Sequence, residues 1–235
     1  MCYSISKDVT ENKLIARYNK GLKIKDFTPK QLYINGFGYP ELPIIKQEER
    51  QHISSSQWGF VPSFIKTERD AKEFRMKYLT LNAKSETVFS LKSFKDSILP
   101  RRCLIPVTGF FEHRHINTKD KIPYYIHLKN EPIFSLGGIY DYWTNEMGEQ
   151  KCSFSILTTE ANTLMEKIHN SKKRMPLIIP KDFEEIWLDP ALKEGEIKEL
   201  MYPLKPEFMT ANTIAKINPR NVNVFDEKII EEVNY

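Results

Sequence analysis

The sequence predicts an α+β fold in which an antiparallel, barrel-like β core is surrounded by peripheral helices. Three observations lead to this prediction. From about residue 103 to 157 the chain is a series of short apolar or alternating runs separated by Gly, Pro and Asn, which is typical of antiparallel strands. The predicted helices do not alternate regularly with the strands, which argues against a doubly wound sheet. No repeat or long linker divides the 235 residues, so we expect residues 1–235 to form one domain.

The first hundred residues are predicted to contain mostly helices and loops. Residues 1–30 are polar and lysine-rich, and turn residues cluster at 35–40. The predicted elements are, in order, a helix over about 11–18, a strand over 56–61 stopped by Pro62, a charged helical segment over 67–80, and a helix over about 88–98 ended by Pro100.

The rest of the chain is predicted to be rich in strands. Thr159 is expected to cap a helix that runs to about residue 168. Strands are predicted at 103–107, 110–113, 123–128, 133–139, 153–157 and 177–179, with short helices over 182–188 and 194–201 and one or two strands in the tail.

Composition narrows the classes of function. A 40% hydrophobic content with 14 Phe, 11 Tyr and 3 Trp allows a substantial core. The net charge of +4 permits a polyanionic partner without requiring one. Cys2, Cys103 and Cys152 form no even disulfide framework and fit no zinc spacing, so we expect a reducing, cytoplasmic setting. The chain has no apolar run long enough to span a membrane and no signal peptide, so we expect no membrane association.

The first two residues carry the most distinctive chemistry. Removal of Met1 would leave Cys2 with a free α-amine and a thiol on neighbouring carbons. Such an amine condenses with an aldehyde to give an imine, and the thiol then closes onto the imine carbon to form a thiazolidine ring. Roughly a tenth of the amine is neutral and nucleophilic at pH 7. The alternative is that Cys2 is a small second residue that only permits methionine removal.

Two further side chains are candidates for proton transfer. Glu112 follows two Phe residues, and burial there would raise its pKa towards neutrality. Strand alternation puts Phe111 and Glu112 on opposite faces, so an outward-facing Glu112 is the alternative. His169 lies where a helix should end, where the helix dipole favours imidazolium and the following cations oppose it. The alternative interpretation of His169 is a surface histidine. The basic cluster that follows it is either a solvated turn or a phosphate contact.

Asn82 and Trp58 also have two interpretations each. The Asn82 amide could hydrogen-bond a substrate sugar or fix Cys2, or it could be a turn or helix-cap residue. Trp58 could stack on a base, or it could be a core residue. The sequence contains no glycine-rich phosphate loop, no paired-histidine metal motif and no G-x-S-x-G motif.

Five motifs, in order, resemble those of the SRAP (SOS response-associated peptidase) family. Together they cover nearly the whole chain, from residue 1 to about 190. The motifs are Met1-Cys2; Gln57-Trp58-Gly59-Phe60-Val61-Pro62-Ser63; Asn82-Ala83-Lys84-Ser85-Glu86-Thr87; Arg101-Arg102-Cys103-Leu104-Ile105-Pro106 with Gly109-Phe110-Phe111-Glu112; and Ile168-His169-Asn170 with Arg174-Met175-Pro176.

This resemblance implies that the protein shields abasic sites in single-stranded DNA by covalent attachment, as the family does. The implied fold is the family's α+β arrangement around a barrel-like core, with a basic groove for the DNA. We expect a monomer that needs no metal and no other cofactor. The implied catalytic residues are Cys2, Asn82, Glu112 and His169. The implied DNA contacts are Trp58 by stacking, Lys84, Arg102 and Arg174 through phosphates, and Asn35.

The sequence departs from the family pattern at three places. Lys84 stands where the family commonly has Arg, which keeps the charge but loses the bidentate fork. His113 stands where a Trp often follows the glutamate. Residues 171–173 lengthen the loop after His169. None of these changes is expected to abolish adduct formation.

Two other functions fit parts of the sequence. An N-terminal-nucleophile amidohydrolase would also use a processed Cys2, with its α-amine as the base. A non-catalytic nucleic-acid-binding module would use the basic residues alone. Blocking the N-terminus separates the second alternative from covalent capture, because simple binding would survive.

Overall fold

The computed structural model describes residues 2–24, 27 and 30–235. Within these ranges no helix is long and apolar enough to cross a membrane. The strands are β1 (Ser4–Lys7), β2 (Gly21–Lys23), β3 (Gln31–Asn35), β4 (Glu41–Lys46), β5 (His52–Trp58), β6 (Asn82–Lys84), β7 (Arg102–Val107), β8 (Gly109–His115), β9 (Lys121–Leu128), β10 (Phe134–Thr144), β11 (Gln150–Glu160), β12 (Arg174–Pro176), β13 (Ile178–Ile179) and β14 (Met209–Thr213). The helices are α1 (Glu11–Tyr18), α2 (Glu68–Tyr78), α3 (Lys95–Ile98), α4 (Thr163–Ile168), α5 (Glu184–Trp187) and α6 (Glu194–Glu199).

Five of these strands close into a barrel. Antiparallel pairings join β5 to β4, β4 to β7, β7 to β10 and β10 to β11. The ring closes through a short parallel pairing in which Ser153 and Phe154 of β11 lie opposite Gln57 and Trp58 of β5. β6 continues along the same edge of β11. The predicted α+β fold with a barrel-like core is confirmed, although the strand pair that closes the barrel is parallel.

A second, antiparallel sheet has the strand order β14-β9-β8-β1-β3. Thr108 is the only residue between β7 of the barrel and β8 of this sheet. β1 lies in the interior of the sheet, where Ile5 is opposite Phe110 of β8 on one side and opposite Ile34 of β3 on the other. The N-terminal strand is therefore hydrogen-bonded on both edges.

Aromatic side chains fill the barrel near its closing seam. The rings of Trp58 and Phe154 stack with centroids 6.4 Å apart and an interplanar angle of 9°. Both side chains are fully buried, and Trp58 Nε1 donates a hydrogen bond to the Leu81 carbonyl at 2.9 Å. Full burial of a large apolar side chain contributes roughly 1.5–3 kcal/mol to stability, so these rings help to hold the two-residue parallel pairing.

The predicted elements of the middle of the chain are confirmed, as are the helices at 11–18 and within 67–80. The predicted strand at 56–61 is misplaced, because Gly59 has a φ of +123° and turns the chain out of β5. The predicted helix over 88–98 is reduced to α3, Lys95–Ile98. Thr159 cannot cap a helix because β11 continues to Glu160, and the cap of α4 is instead Asn162, whose side chain accepts from Met165 N.

Gly138 occupies a crowded position in β10, between β7 and β11. A Cβ atom there would lie 2.5 Å from Ile105 Cδ1 and 2.8 Å from the backbone oxygen of Ser155. Gly138→Ala should lower the free energy of unfolding by about 1–3 kcal/mol, because overpacking of a filled core is destabilising. Chemical denaturation monitored by circular dichroism measures the difference.

The matched control is Gly195→Ala in α6, where an added Cβ meets no atom of the described chain within 4 Å. This substitution should be neutral or stabilise the protein by up to about 1 kcal/mol, since Ala is a better helix former than Gly. Equal stability of wild-type protein and the Gly138→Ala variant would contradict the packing described for the barrel.

Candidate active site

The position of Cys2 follows from the pairing of β1. The strand begins two residues after Cys2, and its pairing with β8 runs antiparallel from Ile5 opposite Phe110. Extending this register by two residues brings the chain at Tyr3 level with Glu112. The Ser6 and Thr108 hydroxyls, 2.9 Å apart, add a side-chain link between the N-terminal strand and the β7–β8 connection. Backbone pairing thus carries the N-terminus to the strand that holds Glu112.

Cys2 is fully buried. Its Sγ lies 3.7 Å from the backbone oxygen of Ser4, and its own carbonyl accepts a hydrogen bond from Asn82 Nδ2 at 2.9 Å. Burial, and then the nearby Glu112 carboxylate, raise the pKa of the Cys2 thiol well above its ordinary value. The thiol is therefore protonated at neutral pH.

Asn82 is brought to Cys2 by β6, where it lies opposite Ile156 of β11. Its amide nitrogen fixes the Cys2 carbonyl, so it is neither a helix cap nor a turn residue. Its buried Oδ1 atom accepts no hydrogen bond from the described part of the chain. A buried acceptor of this kind is uncommon, and it leaves Asn82 able to accept one donor near Cys2.

Glu112 faces the protein interior, with only 6% of its surface exposed, so the outward-facing alternative is wrong. Burial raises the pKa of Glu112 to about 7. Near neutral pH the carboxyl group therefore exists in both its acid and its base form, as a group that takes up and returns a proton requires.

His169 is buried at the C-terminal end of α4, so it is not a surface histidine. Its Nδ1 lies 2.8 Å from the Arg174 carbonyl oxygen, which can only accept, and 3.9 Å from Glu112 Oε1. Burial lowers the pKa of His169 to about 4. The imidazole is thus neutral at pH 7 with its proton on Nδ1, and Nε2 is its basic atom.

A pocket of about 370 Å³ opens in front of Glu112 and His169, and neither Cys2 nor Asn82 is among its lining residues. Tyr3, Glu112 and His169 form part of its wall. The remaining lining residues are His113, His115, Lys121, Ser171 and Lys172. The loop at 171–173, noted as a departure from the family pattern, thus lines the pocket, and His113 occupies its wall directly after Glu112. Sequence analysis did not identify Tyr3, His115 or Lys121, whose only signals are adjacency to Cys2 or to the Glu112 strand.

Two predicted DNA contacts are corrected by the structure. Trp58 is fully buried against Phe154, so its ring has no face available for a base. Arg102 is also fully buried, and its guanidinium donates to the carbonyl oxygens of residues 98, 99, 187 and 189. Both side chains make their contacts within the core of the protein.

The other three predicted DNA contacts lie nearer the surface. Arg174 donates to both carboxylate oxygens of Glu86, at 2.8 and 2.9 Å, so a phosphate would have to displace that carboxylate. Lys84 is exposed at the end of β6. The Asn35 side chain accepts from Phe37 N at 3.0 Å and thereby shapes the turn after β3.

The fold and the site together define a barrel protein whose nucleophile candidate lies beside its N-terminus. The family model described as "SOS response associated peptidase (SRAP)" matches residues 1–219. The chain therefore belongs to the SRAP family, as the five motifs predicted.

Two named relatives and one solved structure are similar to this chain over most of its length. The abasic site processing protein YoaM of Bacillus subtilis is 29% identical over 205 residues, which cover 84% of this chain and 86% of YoaM. The abasic site processing protein YoqW of B. subtilis is 31% identical over 183 residues, covering 77% of this chain and 78% of YoqW. A crystal structure of a Bacteroides thetaiotaomicron protein has a TM-score of 0.92 at 37% identity and covers 99% of this chain and 100% of that one.

The raised pKa of Glu112 makes stability depend on pH. The folded-state pKa of about 7 exceeds the ordinary value of 4.5, so the folded state loses stability as pH rises from about 4.5 through 7. Glu112→Gln removes this loss. The variant should therefore gain about 3 kcal/mol of unfolding free energy relative to wild type between pH 4.5 and pH 8.

Urea denaturation of both proteins at the two pH values measures this gain. Glu207→Gln, at an exposed position, is the control and should show no comparable change. A Glu112→Gln variant whose stability relative to wild type is the same at both pH values would show that Glu112 ionises in the folded protein as it does in water.

Proposed function

We propose that this protein captures abasic sites in single-stranded DNA covalently, by forming a thiazolidine between Cys2 and the ring-opened sugar after Met1 has been removed. The observation that carries the proposal is that Asn82 holds Cys2 in the site where burial keeps Glu112 able to exchange a proton. The names of YoaM and YoqW, both abasic site processing proteins, support the choice of substrate.

The first step is condensation. The neutral α-amine of Cys2 attacks C1′ of the open-chain aldehyde, and the resulting carbinolamine loses water to become an imine. Glu112 in its acid form supplies the proton that the departing hydroxyl needs, and the pKa of about 7 keeps this form populated near neutral pH. Neutral His169 assists proton transfer at the sugar oxygen through Nε2, because its Nδ1 proton is held by the Arg174 carbonyl.

The second step closes the ring. The Cys2 sulfur adds to the imine carbon, the carbon–nitrogen double bond becomes single, and the thiol proton is transferred to the ring nitrogen by way of Glu112. The overall reaction joins amine, thiol and aldehyde with loss of one water and requires neither oxidant nor metal. The thiazolidine lacks the imine on which β-elimination depends, so the DNA strand stays intact.

Asn82 positions the nucleophile in this scheme. Its Nδ2 fixes the Cys2 carbonyl at 2.9 Å, which limits rotation of the residue that carries both reacting atoms. After Met1 has left, Asn82 Oδ1 is an acceptor for the α-amine or for a sugar hydroxyl. The peptidase in the family's name corresponds here to removal of Met1, by the protein itself or by methionine aminopeptidase.

Intact mass spectrometry tests covalent capture directly. Purified protein is analysed alone and after incubation with a single-stranded oligonucleotide carrying one abasic site. We expect loss of Met1, followed by an adduct that survives denaturation and has the mass of protein plus DNA minus one water. The adduct should be absent in Cys2→Ala and present in Cys152→Ala, which removes another thiol.

The outcome separates this proposal from its alternatives. A Met1-free protein that forms no adduct would rule out the thiazolidine and favour an amidohydrolase, to be assayed with peptide and amide substrates. An adduct that persists in Cys2→Ala would assign the chemistry to another nucleophile.

The rate of adduct formation should have a bell-shaped pH dependence. The acid form of Glu112 is lost as pH rises through about 7, whereas the neutral amine is gained as pH rises through roughly 8. The rate should therefore be highest between these values. His169 stays neutral above about pH 5, because its pKa is lowered to about 4, and should add no inflection near 6.5.

Single-turnover rates between pH 5 and 9.5 measure this profile. Glu112→Gln should react more slowly and should lose the alkaline decline while keeping the amine-dependent rise. An unchanged alkaline decline in Glu112→Gln would mean that another group supplies the proton.

A further inference from the structure

We propose that Phe37 is a stacking platform for the nucleobase that flanks the abasic site. This inference rests on the proposed function and adds a determinant of substrate specificity to the same site. It also assigns the stacking role to a different residue from Trp58, whose ring is buried.

The Phe37 ring contacts Tyr3, a residue of the pocket wall, and is partly exposed to solvent. Half of the residue's surface is exposed, 50% by fraction. Its ring centroid is 5.0 Å from that of Tyr3, at an interplanar angle of 35°. Tyr3 in turn lines the pocket together with Glu112 and His169. The two rings therefore form a continuous aromatic surface that leads from solvent to the reacting groups.

The turn that carries Phe37 is firmly held. The Phe37 amide donates to Asn35 Oδ1 at 3.0 Å, and the Gly36 amide donates to the Tyr3 carbonyl at 2.8 Å. The Tyr39 amide closes the turn on the Gly36 carbonyl at 2.9 Å. The turn is thus tied by a backbone hydrogen bond to the residue next to Cys2, and the platform keeps its place relative to the nucleophile.

Trp58 forms the support beneath this turn. A Cβ atom on Gly36 would lie only 3.0 Å from the Trp58 ring, so the backbone packs directly on the indole. A Cβ on Gly38, by contrast, would meet no atom of the described chain within 4 Å. The turn is therefore packed on the core at Gly36 and open to space at Gly38.

A nucleobase is the ligand that fits this surface. A base next to an abasic site has lost its stacking neighbour on one face, and an exposed aromatic ring can take the place of that neighbour. Lys121 and Lys172 line the same pocket and supply positive charge for the adjoining phosphates. An intact duplex has no such uncovered base face, so the platform favours single-stranded, lesion-bearing DNA.

The test measures noncovalent affinity, so that it does not depend on adduct formation. Met1-free protein is titrated against a fluorescent single-stranded oligonucleotide with one tetrahydrofuran residue, a stable abasic analogue that cannot form an imine. A second oligonucleotide also lacks the bases on both sides of that residue. We expect Phe37→Ala to raise the Kd for the first oligonucleotide about tenfold and Phe37→Trp to preserve it.

The second oligonucleotide and a control variant give the test its specificity. On the oligonucleotide without flanking bases, wild type and Phe37→Ala should have equal Kd values. Phe208→Ala removes an equally exposed ring, 52% by fraction, and should change neither Kd. Phe208 lies beside Lys129, at the opposite end of β9 from Lys121 of the pocket.

Several results would overturn the platform. One is a Kd of Phe37→Ala for the first oligonucleotide that equals that of wild type. The others are an equal loss of affinity for both oligonucleotides and no binding by wild-type protein. Failure of covalent capture would be detected separately by mass spectrometry. If the protein binds with the expected dependence on Phe37 but forms no adduct, the stacking role of Phe37 is supported and the thiazolidine mechanism is contradicted.

Discussion

The candidate active site depends on hydrogen bonding along both edges of β1. A strand next to a chain terminus would usually fray, but β1 lies between β8 and β3 in the interior of its sheet. This pairing fixes the backbone as far as Ser4, and the Asn82–Cys2 hydrogen bond extends the constraint to Cys2, the proposed nucleophile. Cys2 is thereby held as firmly as a residue on an internal strand, which the proposed catalysis by orientation requires.

Desolvation then sets the protonation states of the site. Burial keeps the Cys2 thiol protonated and His169 uncharged, and it raises the pKa of Glu112 to about 7. The contrast with Arg102 is informative, since that buried charge is matched by four backbone carbonyls. Four of the five guanidinium N–H donors of Arg102 have carbonyl partners, whereas Asn82 keeps an acceptor that no described group satisfies. The hydrogen bonds of Arg102 stabilise the fold, and the unsatisfied acceptor of Asn82 lies beside Cys2, where a ligand could use it.

The sequence alone was sufficient to predict the helices and strands that are encoded by patterns of neighbouring residues. The amphipathic run of α1 and the apolar strands β7 to β11 were predicted because their patterns lie within a few residues. β1, β3 and β4 were missed. They lie in the polar, lysine-rich and turn-rich first fifty residues. Strand β1 pairs with the distant β8, β4 pairs with the distant β7, and β3 pairs with β1. Thr159 was misassigned for a related reason, because pairing with Met175 of β12 keeps it extended.

The same limit applies to the site. The resemblance located Cys2, Asn82, Glu112 and His169, and the structure brings Asn82 to Cys2 and His169 to Glu112. The resemblance could not distinguish exposed from buried side chains among the basic and aromatic residues. Trp58 and Arg102 are residues that a DNA-binding protein uses for contact and that any protein uses for packing. Only their three-dimensional surroundings, Phe154 beside one and four carbonyls around the other, separate the two roles.

The pairing of β1 with β8 also has a consequence for the order of events during synthesis. Ile5 acquires its partner Phe110 only after roughly a hundred further residues have been made, which takes about 5–20 s at ribosomal speed. Throughout that interval the nascent N-terminus cannot be enclosed by the sheet. Under the proposed function, an aminopeptidase working on the ribosome would thus meet the N-terminus in solvent, before the fold buries Cys2. Chain topology, through the late arrival of one strand, provides a time window for maturation.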